Sequence, residues 1–501
     1  MSMFHKHLLT ASVALIGLNG CVYGYVYDAA TGSAMQDATV TVLSGVCSGT
    51  GCGSNPTYRQ TESSGLYVFD AYGDKNGDDQ VQLLGVASGQ EALRLYYSRA
   101  GYRSVSVYHK PKYEEVTQDG NTYQVSNVQP VYLCTTTALD SDGDGICNDA
   151  EARYGTNPYN TDTDGDRISD NAELFGYGGV DLRYYGADPK KKDVFVEMDY
   201  YPGLKPTQGA LDRVTAAFAA APVTNPNGTT GIALHLVADQ QIAAADVDLD
   251  LNPVWPDFDV IKAKYFNARR APFFHYLLVA DHYDAGGSSG ISRGIPGHDF
   301  IMTLGNWSTP GGTEQQQAGT LMHELGHNIG LMHGGNENTN NKPNYLSLMS
   351  YSYQLGGLRV DGVNGVLDYS RLRIGAVYES SHNEVYAFSA LSPTTEADLA
   401  HYGVRINNVF VSGNASANLD FNNNGVILNA YVSGSLNGDG DALDTFAASQ
   451  NDWTALVYDG AGTIGDGWLG NTQGLSRQEA FFVVPEKTEA CITEARARDG
   501  R

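Results

Sequence analysis

Three histidines and a glutamate lie close together in the segment AGTLMHELGHNIGLMHGG. His323 and His327 are four residues apart, so on a helix both side chains project from one face and can hold the same metal ion. Gly330 can adopt the left-handed backbone that ends a helix, which would bring His333 back as a third ligand. Three neutral imidazoles leave one position of a tetrahedral zinc ion open, which is typical of a catalytic site. Glu324 is adjacent to the first ligand, so we expect it to reach a water at the metal and not the metal itself.

A second group of candidate ligands forms an internal repeat of acidic loops. Two segments with the pattern D-x-D-x-D begin at Asp140 and Asp162, 22 residues apart. Oxygen side chains at positions 1, 3, 5 and 9, a main-chain carbonyl at position 7 and a glutamate at position 12 suit Ca²⁺. The expected ligands are Asp140, Asp142, Asp144, Ile146, Asn148, Glu151, Asp162, Asp164, Asp166, Ile168, Asp170 and Glu173. Arg167 replaces the turn glycine of the second loop, and an acidic linker without metal is the alternative interpretation.

The histidine motif reads H-E-x-x-H-x-x-G-x-x-H and resembles the signature of the metzincin metallopeptidases. The segment SLMSY at 347–351 resembles the methionine turn of that family. The resemblance implies a zinc endopeptidase in which Glu324 is the general base and Met349 lies beneath the histidines. It also implies that Tyr351 is either a switchable zinc ligand or an oxyanion donor. Ordinary core positions are the alternative for Met349 and Tyr351.

The subfamily is left open by the residue that follows the third histidine. Gly334 stands there, where the better-known metzincin branches have Glu, Pro, Asp or Ser. The flanking segment GGNENTNNKPNYLSLMSYSYQ resembles a group of bacterial secreted metzincin-like proteins. The resemblance covers the catalytic region and the acidic repeat, and it does not name a substrate.

Strands that alternate with helices are expected to position the motif. The expected strands are 191–200, 231–239, 272–281 and 298–305, and the expected helices are 207–221 and 257–266. This alternation favours an α/β layer. A further helix is expected to begin near Thr313, with Glu314 in its first turn, and to run through the motif. The strand at 298–305 precedes that helix, as the substrate-pairing edge strand does in metzincins, so we expect it to bind peptide by strand addition.

The first residues of the chain have the pattern of an export signal. A weakly basic start is followed by an apolar run that is too short to span a bilayer, and a buried helix is the alternative. The segment LNGC resembles a bacterial lipobox that ends at Cys21, so a lipid anchor and plain secretion both remain open. An exported chain can oxidise its cysteines. Two pairs are close enough in sequence to form local disulfides: Cys47 with Cys52, and Cys134 with Cys147.

The segment 22–133 alternates in the manner of β-strands and predicts a small antiparallel sandwich. It resembles carboxypeptidase regulatory-like, transthyretin-like domains, and the run TDTDGDRISDNAELFGYG resembles thrombospondin type 3-like calcium repeats. We therefore expect a multidomain chain with an N-terminal all-β sandwich, a calcium-binding connector and an α/β (α+β) metzincin-like catalytic domain. The expected parts are a signal peptide at 1–21, a sandwich at 22–134, calcium repeats at 135–180, a zinc peptidase domain at 181–380 and a C-terminal extension, separate or part of the catalytic domain, at 381–501.

The C-terminal region contains two more loops rich in oxygen side chains. Asp420, Asn422 and Asn424 occupy positions 1, 3 and 5 of one, and Asn437, Asp439 and Asp441 those of the other. Neither loop has an acid at position 12, so a plain turn and a calcium site are equally good interpretations.

The composition restricts the class of partner. With 57 acidic and 31 basic residues the formal charge is −26, which disfavours nucleic-acid binding. Protein or peptide substrates are expected, and membrane contact only through a lipid anchor at Cys21. Together these features predict a secreted or surface-anchored bacterial zinc metalloendopeptidase with structural Ca²⁺. The alternative function is calcium-dependent adhesion at the cell surface, with the metzincin domain as a scaffold.

Overall fold

The computed structural model describes residues 21–44, 46–47, 57–70, 84–85, 91–118 and 121–458. The predicted signal peptide up to residue 20, Cys52 and Cys491 lie outside these residues. The chain divides into two compact units, residues 1–190 and residues 191–501. Within the described residues, no helix has both the length and the apolar character needed to cross a bilayer.

The first unit consists mainly of short strands followed by short helices. The strands are β1 Cys21–Asp28, β2 Thr39–Ser44, β3 Val46–Cys47, β4 Thr57–Gln60, β5 Leu66–Asp70, β6 Leu84–Gly85, β7 Leu93–Ser98, β8 Val105–His109, β9 Glu114–Gln118, β10 Asn121–Asn127 and β11 Val131–Leu133. The helices are α1 Asn148–Tyr154, α2 Asp170–Phe175 and α3 Leu182–Tyr185.

Two sheets of the first unit share one hydrophobic core. One sheet has the order β4-β2-β7-β8 and is antiparallel, as expected from its alternating pattern. The other contains β11, β1, β10, β9 and β5, and β1 runs parallel to β10 and β11. The expectation of a purely antiparallel sandwich is therefore wrong for this sheet, because alternation predicts strands and not their direction.

The acidic repeat is built onto the same core. Ile146, Cys147 and Ala150 pack in one cluster with Val26 and Leu95 of the two sheets. Cys147 forms a disulfide with Cys134, which confirms one of the two predicted pairs. The repeat therefore shares its hydrophobic support with the sandwich.

The second unit alternates strands and helices and then continues in short strand pairs. Its strands are β12 Asp193–Tyr200, β13 Ala233–Gln241, β14 Asp250–Leu251, β15 Phe274–Val279, β16 His282–Tyr283, β17 Gly290–Ser292, β18 Asp299–Met302, β19 Leu358–Val360, β20 Val363–Val366, β21 Val377–Tyr378, β22 His382–Asn383, β23 Tyr402–Gly403, β24 Arg405–Ile406, β25 Val409–Phe410, β26 Tyr431–Val432 and β27 Thr445–Phe446. Its helices are α4 Gln208–Ala219, α5 Val254–Tyr265, α6 Glu314–Asn328, α7 Tyr351–Gln354 and α8 Glu396–Leu399.

The main sheet of this unit has helices on both faces. Its order is β13-β12-β15-β18-β17, and the first four strands are parallel. Helices α4 and α6 pack on one face around Val196, and α5 packs on the other around Tyr276. Because both faces are covered, β12 and β15 are buried along almost their whole length, and β12 buries three carboxylates among its apolar residues. The expected α/β alternation is confirmed, with the predicted strands and helices present and their bounds shifted by a few residues.

The expected edge strand is an exception. The strand predicted at 298–305 is β18, which lies between β15 and β17, so its two edges are already paired. The edge strand on this side of the sheet is β17, and it is antiparallel to β18. The segment AGGSSGISRG that contains β17 reads as a loop, because glycine and serine are typical of turns. Strand addition to β18 is therefore wrong as a binding mode.

Candidate metal centres

Helix α6 carries the first two histidines and begins as the sequence predicts. Thr313 caps its N-terminus by accepting a hydrogen bond from the Gln316 amide, and the Gln316 side chain accepts one from the Thr313 amide in return. The helix ends at Asn328, and Gly330 follows with a φ of +95°. The amide of Leu331 donates to the carbonyl of Gly326, which closes the reversal. The expected reversal at Gly330 is confirmed.

The reversal brings the three histidine rings together inside the protein. Ring centroids are 4.7 Å apart for His323 and His327, 4.8 Å for His327 and His333, and 5.3 Å for His323 and His333. One nitrogen from each ring lies within 4.8 Å of the others, and all three residues are fully buried. Both motif histidines of α6 and the third from the following loop therefore face one point.

Main-chain carbonyls fix the tautomer of the two helical histidines. Nδ1 of His323 lies 2.9 Å from the carbonyl oxygen of Leu348, and Nδ1 of His327 lies 2.7 Å from that of Leu331. A carbonyl only accepts, so each Nδ1 carries the proton and donates it. Burial lowers the pKa of both rings, to about 4 for His327, so they are neutral at pH 7. Their Nε2 atoms, only 3.1 Å apart, both present lone pairs to the same space.

Glu324 and Tyr351 lie beside this cluster. Glu324 is fully buried, and its carboxylate packs against Gly290 of the edge strand. A Cβ at position 290 would lie 2.8 Å from Oε1 of Glu324, so only glycine leaves room for this carboxylate. The ring of Tyr351 lies 4.4 Å from that of His333 and 5.7 Å from that of His323. Gly290 was not predicted from the sequence, because nothing in its loop-like surroundings marks it.

Met349 packs against the helix between the two histidines. A Cβ at Gly326 would collide with Sδ of Met349, so the glycine inside the motif allows the methionine to approach. The hydroxyl of Tyr369 lies 3.1 Å from the same point and donates to the carbonyl of Met322. Met349 is fully buried, which fits both a floor beneath the site and an ordinary core position.

A buried aspartate from the C-terminal region supports the methionine turn. Oδ2 of Asp452 accepts hydrogen bonds from the hydroxyls of Tyr345 and Ser347 and from the amide of Ser370. Burial raises the pKa of Asp452 to about 6. The next residue, Trp453, donates to the carboxylate of Asp368. Asp452 was not identified from the sequence, because the contact joins residues more than a hundred positions apart.

The first acidic loop also gathers its carboxylates. One oxygen each from Asp140, Asp142 and Asp144 lies within 4.8 Å of the others. Burial raises the pKa of Asp144 to about 7 and that of Glu151 to about 8, with repulsion from neighbouring aspartates as a further cause. Oδ2 of Asp144 and Oε2 of Glu151 are buried and accept no hydrogen bond from any residue the structure describes. Asp140 also forms an ion pair of 3.3 Å with Arg103.

The second acidic loop repeats this arrangement. Oxygens of Asp162, Asp164 and Asp166 lie within 4.8 Å of one another. Arg167 adopts a φ of +74°, close to the +97° of Gly145 at the same position of the first loop. The loop therefore keeps its turn although a side chain other than glycine is strained there.

The predicted ligands at positions 7, 9 and 12 of the two loops lie outside the aspartate clusters just described. The side chain of Asn148 bonds to the amide and hydroxyl of Ser141, and that of Asp170 bonds to the amide and hydroxyl of Thr163. Both side chains therefore brace their loops. The remaining predicted ligands are buried: Glu151, Glu173, Ile146 and Ile168.

Comparison with known proteins identifies one of these features. Residues 140–161 match the bacterial TSP3 repeat, a calcium-binding repeat that here covers the first loop and ends before Asp162. No curated protein matches the chain. The TSP3 repeat and the disulfide indicate an extracytoplasmic protein.

Several solved structures match at low similarity. A 3-chlorocatechol 1,2-dioxygenase from Rhodococcus opacus matches with 12% identity and a TM-score of 0.17, over 24% of this chain and 61% of its own. A hydroxyquinol 1,2-dioxygenase from Pseudomonas putida matches with 12% identity and a TM-score of 0.17, over 23% of this chain and 56% of its own. Metalloproteinase-II from Bacteroides fragilis matches with 11% identity and a TM-score of 0.21, over 60% of this chain and 82% of its own. The chain thus spans less than two thirds of either dioxygenase, and TM-scores this low support no argument about fold or function.

Proposed function

We propose that the protein is a zinc-dependent endopeptidase of the metzincin type, secreted or anchored at a bacterial surface. The observation that carries the proposal is the pair of Nε2 atoms of His323 and His327. Two lone pairs 3.1 Å apart in a buried space repel each other unless a cation lies between them. A third imidazole, from His333, faces the same space.

The donor set fits zinc better than other common ions. Three imidazoles without a thiolate or carboxylate suit a borderline-soft ion and leave one position of a tetrahedron for substrate or water. Calcium and magnesium prefer oxygen ligands, which this cluster does not provide. A zinc ion held there supplies Lewis acidity, which polarises a peptide carbonyl and lowers the pKa of water.

The surrounding side chains have separate tasks in this proposal. Glu324 takes a proton from the attacking water at its carboxylate and later delivers it to the leaving amine. Tyr351, beside His333, donates its hydroxyl to the oxygen of the carbonyl under attack or binds the metal in the resting enzyme. Met349 and Asp452 touch no substrate; they hold the helix and the methionine turn so that the histidines keep their positions.

Calcium has a structural task in the same proposal. The two acidic loops, Asp140–Glu151 and Asp162–Glu173, each bind a Ca²⁺ ion that compensates their crowded carboxylates. Extracellular calcium is abundant enough to fill sites of modest affinity. Proteins or peptides are the expected substrates, and Cys21 is the candidate lipid anchor.

The test is a matched comparison of wild type, Glu324→Gln and Glu314→Gln. Both glutamates lie on α6, but Glu314 is exposed in its first turn and Glu324 is buried at the cluster. We expect one zinc ion per chain in all three proteins. Cleavage of an unfolded protein substrate should fall about a thousandfold or more in Glu324→Gln and stay near wild type in Glu314→Gln.

Each other outcome has a definite meaning. Cleavage that survives Glu324→Gln would contradict the assigned base. Zinc in every protein without cleavage in wild type, across several unfolded substrates, would contradict the peptidase and favour the calcium-dependent adhesion protein. Absence of bound zinc after exposure to excess zinc would contradict the metal assignment itself.

A further inference from the structure

The loop that begins at Asp420 has the conformation of the acidic repeat. In the first repeat loop, Asp142 accepts from the amide of residue 144, and Asp144 accepts from the amide of residue 146. In the C-terminal loop, Asn422 accepts from the amide of residue 424, and Asn424 accepts from the amide of residue 426. In both loops, the side-chain oxygens at the third and fifth positions therefore accept the amide two residues later in the chain.

What this loop lacks is the acid at its twelfth position. That position is Tyr431, whose side chain is 77% exposed. In the first repeat loop the corresponding residue is Glu151, which is fully buried and has one carboxylate oxygen without a hydrogen-bond donor. A site of this kind needs such a carboxylate to complete the oxygen shell of the ion.

Glu384 supplies a carboxylate from elsewhere in the chain. Its main-chain carbonyl accepts the amide of Leu419, so it lies directly beside the start of the loop. Its side chain turns toward the loop, where Oε2 accepts the amide of Leu428 at 2.9 Å. Oε1 is buried and accepts no hydrogen bond from the described part of the chain. Burying a carboxylate oxygen without a partner costs free energy that a bound cation would offset.

A neighbouring glutamate shows what a purely structural carboxylate looks like in the same setting. Glu379 is buried beside the loop that begins at Asn437. Its Oε1 accepts the amides of Leu436 and Asn437, and its Oε2 accepts that of Asp444. Both oxygens accept main-chain amides, so the burial of Glu379 leaves neither carboxylate oxygen without a donor. The difference between the two glutamates is the free coordination capacity of Glu384.

We infer that Asp420, Asn422, Asn424 and Glu384 form a third calcium site, in which the last carboxylate comes from a segment upstream of the loop. All donors are oxygens, and their formal charge is −2, which suits Ca²⁺ at the modest affinity of extracellular modules. Asp420 is buried and accepts the amides of Asn424 and Gly425, which orients its carboxylate. The site is independent of the histidine cluster and of any peptidase activity.

The test counts bound calcium in the full chain and locates it. Wild type, Glu384→Gln, Asn422→Ala and the exposed control Glu62→Gln are dialysed against Ca²⁺ alone, and ions per chain are measured by elemental analysis. Hydrogen exchange of residues 419–431 is followed with and without Ca²⁺. We expect Glu384→Gln to hold one ion fewer than wild type and to lose the calcium-dependent slowing of exchange. Glu62→Gln should match wild type.

Asn422→Ala keeps the inference testable if Glu384→Gln does not fold. Asn422 is exposed, so its truncation should leave the fold intact and weaken one calcium site about tenfold. An unchanged ion count in folded Glu384→Gln would overturn the inference. So would unchanged affinity and exchange in Asn422→Ala, because the site proposed here needs that amide oxygen.

Discussion

The histidine cluster and the first acidic loop both gather metal-ligating atoms, but they do so by opposite means. His323 and His327 are neutral, and each is held by a main-chain carbonyl from outside its own turn of helix, at Leu348 and Leu331. In the first acidic loop, Asp142 and Asp144 are neighbours in one short segment and repel each other.

This difference predicts different responses to metal loss. The histidines are positioned by the sheet, by α6 and by the methionine turn, so the cluster should keep its shape without an ion. The acidic loop is anchored to the core of the first unit at Ile146 and Cys147, but its buried carboxylates repel one another, so their close approach should depend on the ion.

Removing a histidine of the cluster should abolish zinc binding and hydrolysis with little change in fold. For His333→Ala we expect bound zinc below about a tenth of an equivalent in competition with a chelator, and hydrolysis reduced about a thousandfold or more. Tryptophan fluorescence during urea unfolding reports the second unit alone, because no tryptophan precedes residue 191. The exposed His401→Ala is the control. Retention of zinc by His333→Ala would contradict the assigned ligand set.

Removing calcium should destabilise the first unit and leave the histidine cluster in place, with the effect on the second unit confined to the site proposed at residues 419–431. At a free concentration about 100 times Kd, each occupied loop contributes about 2.7 kcal/mol, which EGTA removes. Hydrogen exchange should then accelerate around α1 and α2, while the amides of α6 keep their protection. Re-addition of Ca²⁺, but not of Mg²⁺, should restore protection. Equal acceleration of hydrogen exchange in both units would contradict the expected difference between the acidic loop and the histidine cluster.

Asp452 tests how firmly the histidine cluster is supported. Its pKa of about 6 lies above the 3.8 of an unfolded aspartate, so the folded state binds the proton more tightly. Its contribution to stability is therefore full below pH 4 and is lost as the pH rises through 6, a change of about 3 kcal/mol. Relative to Asp452→Asn, which retains an oxygen acceptor, wild type should lose that amount between pH 4 and 7 in urea titrations. Parallel pH profiles of the two proteins would contradict the assignment.

Asp144→Asn should change the sign of its effect with calcium. Without Ca²⁺ at pH 8, removing a buried charge should stabilise the first unit by about 1 kcal/mol, because the carboxylate is desolvated and repelled. With Ca²⁺ the same change removes a ligand and should destabilise it by a similar or larger amount. Asp149→Asn, exposed on α1, should be nearly neutral in both conditions. The same sign in both conditions would show that the loop does not bind calcium through Asp144.

The sequence predicted the features that are contiguous in the chain. The start of α6 at Thr313, the reversal at Gly330 and the Cys134–Cys147 disulfide follow from local patterns of capping, backbone freedom and spacing. The α/β alternation followed from short, mainly apolar segments separated by amphipathic helical segments, a pattern that a sheet covered on both faces imposes on the chain.

Features that depend on pairing between distant segments were missed. The edge strand at Gly290–Ser292 has a composition typical of turns, and only its pairing with β18 makes it a strand. Glu384 and Asp452 are single acids without a local pattern, and their importance comes from contacts with the segments 419–428 and 345–370. The predicted domain boundaries and the roles of the site residues stay predictions.

The hydrogen bond between Asp452 and Ser347 spans 105 residues of sequence. A fragment cut at residue 380 would retain every histidine of the motif and Met349, yet Tyr345, Ser347 and Ser370 would lose their common acceptor. The smallest fragment that keeps these hydrogen bonds, together with the one from Trp453 to Asp368, must therefore extend through Trp453. When the chain emerges N-terminus first, the motif appears long before this support, so the hydrogen bonds around Ser347 are completed only after the C-terminal region has been released and has docked.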